Sequence, residues 1–165
     1  MCYHAYEFLC ICNRIHLVNS YRSIIRINIP VCVHASTGSF DWNGVFEREI
    51  GFAKFKLPVV STFHSIVYDG LMEHFPKLKF GFIEVSAQWV PYAIHDLKKR
   101  FERKGGSLSP NFMREMRLYV ACQTDDDLAY ILKYSGEDNI LIGSDYGHAD
   151  TATEIEALRS LKQKG

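Results

Sequence analysis

Hydrophobic positions become regular from Pro30 onward. Residues Pro30 to His34 form a short apolar run, rich in β-branched side chains, that stops at Ala35-Ser36-Thr37-Gly38. A run of this length bounded by turn residues predicts a buried strand. The same logic predicts strands at Lys79 to Glu84, Arg117 to Ala121 and Asn139 to Gly143. Between them the period lengthens. Val45 to Phe55 places Phe46, Ile50 and Ala53 on one helical face, and Ser65 to Phe75 does so with Ile66, Leu71, Met72 and Phe75 before Pro76 ends it. Gln88 to Arg103 repeats Val90, Ala93, Ile94, Leu97 and Phe101, with Pro91 in the first turn, where proline is tolerated. Thr124 followed by three aspartates has the form of an N-cap and acidic first turn, opening a helix that Gly136 closes. Thr151 to Lys162 predicts a last helix. Strands alternating with helices imply an α/β fold with a parallel sheet and right-handed crossovers. Four such units make half a barrel or a small open sheet. Residues 1–29 show no clear period and stand apart as an atypical N-terminal segment before a domain at 30–165.

Composition narrows the function classes. The chain has 165 residues, 47% hydrophobic and 13% aromatic, which suits one packed domain. Nineteen basic residues balance nineteen acidic ones, so no basic stripe points to nucleic acid. No apolar run approaches the roughly 20 residues of a membrane span, and no signal-peptide core is visible, so a cytoplasmic protein is expected. The five cysteines are odd in number and irregular in spacing, which fits neither a disulfide framework nor a zinc knuckle. Cys10 and Cys12 have the spacing to share a soft metal, but buried or incidental thiols are the simpler reading.

In parallel α/β folds, chemistry sits at the C-terminal ends of strands. The residues there are His34, Glu84, Gln123 and Asp145. Imidazole nitrogen and carboxylate oxygen are natural ligands of zinc and similar divalent metals. Each also has an ordinary alternative. His34 could be a satisfied strand-end histidine, Asp145 an Asx turn, and Glu84 the partner of a nearby Lys or Arg. His148 lies close to Asp145 and is placed to touch substrate or to hydrogen-bond a ligand.

Several segments together resemble the amidohydrolase-related superfamily, the group that includes aminocarboxymuconate-semialdehyde decarboxylase and benzoate-type decarboxylases. Gly143-Ser144-Asp145-Tyr146-Gly147-His148 is similar to its G-S-D-x-P-H segment after the last barrel strand, with Gly147 in place of proline. Val31-Cys32-Val33-His34 resembles the fifth-strand segment, and Phe75-Pro76-Lys77-Leu78-Lys79-Phe80 the F-P-x-L-K segment before the sixth strand. The stretch from Phe82 to Pro91, with Glu84, Trp89 and Pro91, resembles E-x-G-A-x-W-x-P. The segments run in the family's order from about Pro30 to the C-terminus.

The resemblance implies a partial TIM-type (β/α) barrel of about four C-terminal units, because a whole barrel takes about 250 residues. It implies a metal-dependent hydrolase or decarboxylase acting on small cyclic or aromatic carboxylates, amides or lactones. His34 and Asp145 would be ligands of a divalent metal, zinc foremost. Asp145 and Glu84 would be the catalytic carboxylates, with Trp89 and His148 near the substrate. Glu84 stands where many decarboxylases carry a catalytic histidine, which points to the glutamate-bearing subgroup. The family's H-x-H pair, source of two more ligands, is absent from the sequence. The partners expected are a small-molecule substrate and no nucleic acid or membrane. Half a barrel would expose strand edges, so pairing in a homo-oligomer, a truncated chain without metal, and a catalytically inactive remnant or binding module all stand as alternatives.

Overall fold

The computed structural model describes residues 2–4, 24–26, 28–35, 52–143, 159, 162 and 163. Five strands form one sheet: β1 (Cys2–His4), β2 (Val31–His34), β3 (Phe80–Ile83), β4 (Leu118–Cys122) and β5 (Ile140–Ile142). All neighbours are parallel, and the order in space is the order in sequence. A doubly wound sheet reverses its strand order at a switch point, whereas a barrel advances one strand at a time. The observed order is that of a barrel segment.

Five helices are described. They are α1 (Leu57–Tyr68), which continues a π-helical turn at Phe52–Lys56, α2 (Leu71–His74), α3 (Val90–Arg103), α4 (Phe112–Glu115) and α5 (Leu128–Ser135). The single helix expected over Ser65 to Phe75 is two, and the first begins at Leu57, in a stretch where the sequence assigns no element. Gly70 adopts φ +70, a left-handed conformation that breaks the backbone hydrogen-bond ladder between α1 and α2. The helix after β4 starts later than its sequence suggested. Asp127, not Thr124, is the N-cap, its Oδ1 accepting from the Tyr130 N–H at 3.0 Å. Three elements had not been anticipated: α4, in the loop before β4, a 3-10 turn at Glu137–Asn139, and β1, inside the atypical N-terminal segment. The expected helices at Val45–Phe55 and Thr151–Lys162 fall largely outside the described residues.

Strand alternation divides the sheet into two faces. Val31, Val33, Phe80, Phe82, Leu118 and Val120 are almost wholly buried. Register aligns them into continuous rows, Val31 beside Phe80 beside Leu118 and Val33 beside Phe82 beside Val120. Helices cover this face: α1 packs on β2 and on α3, and α3 packs on α5. Phe63 of α1 is fully buried and meets Phe82, Trp89 and Phe112 edge to face, the favoured geometry for aromatic pairs. On the other face Cys32, His34, Ile83, Tyr119 and Ala121 are only half-buried, and Leu141 is exposed. In a barrel this second face looks inward, and it carries the candidate site.

Candidate active site

His34 ends β2, and its Cα pairs with Ile83 at the end of β3. It alternates with Val31 and Val33, so it belongs to the less covered face. Regular alternation would send Glu84, the next residue after β3, toward the helices with Phe80 and Phe82. Instead Glu84 has φ +67, a left-handed conformation uncommon outside glycine. The kink redirects its side chain, and Glu84 Oε2 lies 2.8 Å from His34 Nε2, the two side chains 30% and 33% exposed. The other ring nitrogen, Nδ1, faces the Ala35 carbonyl oxygen in a short contact.

The loop that carries Glu84 is tied to the next loop by one carboxylate. Asp126, between β4 and α5, accepts from the Ala87 N–H at 2.8 Å and from the Gln123 N–H at 2.8 Å, both on Oδ2. Its Oδ1 accepts from the Ser86 hydroxyl, and Ser86 Oγ accepts in turn from the Gln88 N–H at 3.0 Å. A second link joins the same loops, the Asp127 N–H donating to Gln88 Oε1 at 2.9 Å. Burial and the nearby Asp126 carboxylate push the Cys122 thiol up from its ordinary value. That makes Cys122 a poor nucleophile, since the thiolate is the reactive form.

Trp89 donates its indole N–H to the Ser86 carbonyl at 2.8 Å and packs on Phe63 and Phe82. These contacts lie on the helix-covered side, so the structure gives Trp89 a place in the packing beneath the Glu84 loop. Asp145 and His148 lie outside the described residues, although β5, which leads to Asp145, ends beside Cys122 at the same sheet edge. Two features escaped sequence reasoning. Asp126 read as one acidic residue among three at a helix start. The other is His4, which the pairing of β1 with β2 sets beside His34 in register.

An imidazole and a carboxylate converging at the C-terminal edge of a parallel sheet form a donor pair suited to a divalent cation. Among the described residues no group of three His, Cys, Asp or Glu side chains is gathered to hold one. The fit is therefore partial: two donors are in place, and a third protein ligand would have to come from beyond them.

No family model matches the sequence, and no curated protein does. Solved structures do match. An amidohydrolase from Mycobacterium avium subsp. paratuberculosis aligns with 87% of this chain and 39% of its own, at 22% identity and a TM-score of 0.61. The 5-carboxyvanillate decarboxylase LigW from Sphingomonas paucimobilis aligns over 86% of this chain and 48% of its own, at 16% identity and TM-score 0.60. IDCase from Metarhizium anisopliae aligns over 90% and 45%, at 14% identity and TM-score 0.61. The chain thus spans less than half the length of each of these structures. Its fold is that of part of the (β/α) barrel found in amidohydrolase and decarboxylase enzymes.

Proposed function

We propose that the chain belongs to the amidohydrolase-related superfamily and contributes to a metal-dependent hydrolase or decarboxylase site for small cyclic or aromatic carboxylates, amides or lactones. The observation that carries this reading is the approach of His34 and Glu84 at the C-terminal edge of the sheet, where barrel enzymes place their chemistry. His34 and Asp145 would hold the metal, zinc foremost, the imidazole exchanging its Nε2 contact with Glu84 for the cation. The bound cation would supply Lewis-acid polarisation of a substrate carbonyl or of water. Glu84, half-exposed and aimed at the same point, would take a proton from the attacking water or return one to the product. A flat, partly apolar substrate would lie against the half-buried Ile83, Tyr119 and Ala121 of the inner face.

A second reading, a non-catalytic member of the fold, draws support from the lack of an H-x-H pair in this sequence. Each missing ligand leaves a position for water and weakens metal binding. Metal content after purification and dialysis separates the two. Near-stoichiometric zinc in the unsubstituted chain, lost in His34→Ala and in Asp145→Ala, is the expected result for a competent site. A chain that retains no zinc would sink the enzymatic reading for this chain and favour the second.

A further inference from the structure

We infer that Asp126 is a positioning residue for the His34–Glu84 pair, holding the Glu84 loop in the strained shape that turns the carboxylate toward the imidazole. Two residues of that loop, Glu84 and Ser86, have left-handed backbones, at φ +67 and φ +61. Such conformations are costly for residues other than glycine and persist only where the surroundings enforce them. The enforcing group is visible. Three donors converge on the Asp126 carboxylate: the Ser86 hydroxyl and the Ala87 N–H, both from the strained loop, and the Gln123 N–H from the end of β4. A carboxylate bridging two strand ends fixes the loop between them more firmly than either loop's own turn bonds, because hydrogen bonds to an ionised group are about twice as strong as neutral ones. Asp126 makes no described contact with His34 or Glu84, so it acts through the backbone rather than in the chemistry.

Asparagine can reproduce the clamp. Its amide oxygen would replace Oδ2 and accept from Ala87 and Gln123, and its NH₂ would donate to Ser86 Oγ. Alanine reproduces none of it. The test uses the full chain, free of metal and substrate, so its outcome is independent of the proposed reaction. The readout is the side-chain N–H signal of His34 hydrogen-bonded to Glu84 in low-temperature nitrogen-correlated NMR spectra, assigned by its loss in Glu84→Ala. The signal is expected in the unsubstituted chain and in Asp126→Asn, and lost in Asp126→Ala with cooperative unfolding retained. A signal that persists in a folded Asp126→Ala overturns the inference, as does its absence from the unsubstituted chain. Should Asp126→Ala not fold, Ser86→Ala removes the hydroxyl bond to Asp126, and with it the Gln88 N–H bond to Ser86 Oγ, while leaving the Ala87 and Gln123 bonds to the carboxylate. A broadened or weakened His34 signal in that variant supports positioning, and an unchanged one overturns it.

Discussion

At the scale of single residues, the site depends on a backbone conformation that its own side chain disfavours. Glu84 combines a left-handed φ with a carboxylate directed at His34. Left-handed backbone costs a non-glycine residue about 1–2 kcal/mol. Removing the side chain to the Cβ loses the ion pair and keeps the strain, whereas removing it altogether loses the same pair and relieves the strain. Glu84→Gly is therefore expected to melt at a higher temperature than Glu84→Ala, by the equivalent of about 1 kcal/mol. Equal melting temperatures would show that the left-handed conformation is not held in solution. His34 and Glu84 were legible in the sequence because an apolar strand that stops at an ionisable residue is a local signal. That they touch was not, because alternation alone puts Glu84 on the opposite face. Asp126 was illegible for a related reason. Two of its donors, on Ser86 and Ala87, lie about forty residues earlier, and only the packing of β3 against β4 brings them near.

At the scale of elements, all four strands expected from apolar runs were found to within a residue or two, since each run is both short and flanked by turn residues. The long helix α3 was equally clear, because its apolar stripe of Val90, Ala93, Ile94 and Leu97 is fully buried. The stretch before β3 misled because helical periodicity runs on through Gly70, where backbone freedom rather than hydrophobicity decides the break. Periodicity also says nothing about the polar side chains that join helices. Asp96 of α3 accepts from Arg100 Nε one turn on, at 2.5 Å, and lies 2.7 Å from His64 Nε2 on α1. The hydrogen bond from Arg100 holds the Asp96 carboxyl below its ordinary value of 3.8; burial opposes this and His64 adds to it. Tyr68 and Lys104 stack beside the cluster. A carboxyl whose folded pKa is depressed contributes stability that is complete above the unfolded value and lost as pH falls through the folded one. The urea midpoint of the unsubstituted chain should therefore exceed that of Asp96→Asn at neutral pH. The gap should close as pH drops below 3.8. A gap independent of pH would show that Asp96 does not link α1 to α3.

At the scale of the whole molecule, the two faces of the sheet are unequal among the described residues. The face covered by helices holds the aromatic and aliphatic core, while the inner face presents Cys32, His34, Ile83, Tyr119 and Ala121 half-buried. The fold class was readable from the strict alternation of elements, and its barrel character from the resemblance. The added strand β1 was not, because its three residues carry no periodic signal. A site with only two donors in place among the described residues raises the question of whether the folded chain binds metal better than the unfolded one does. Five cysteines and seven histidines give the unfolded chain its own affinity for zinc, so the sign of the response is informative. A ligand that binds the native state alone at about a hundred times its Kd stabilises by about 2.7 kcal/mol. In a chain of 165 residues, each kcal/mol raises the melting temperature by about 2–4 °C. A native site should then give a rise of roughly 5–11 °C with zinc, reversed by a chelator and much reduced in His34→Ala. A fall in melting temperature would mean that zinc prefers the thiols of the unfolded chain and that His34 and Asp145 do not form a metal centre in this chain alone. Such a fall, together with an intact His34–Glu84 hydrogen bond, would leave the pair as a preformed part of a site that needs further ligands from elsewhere to close.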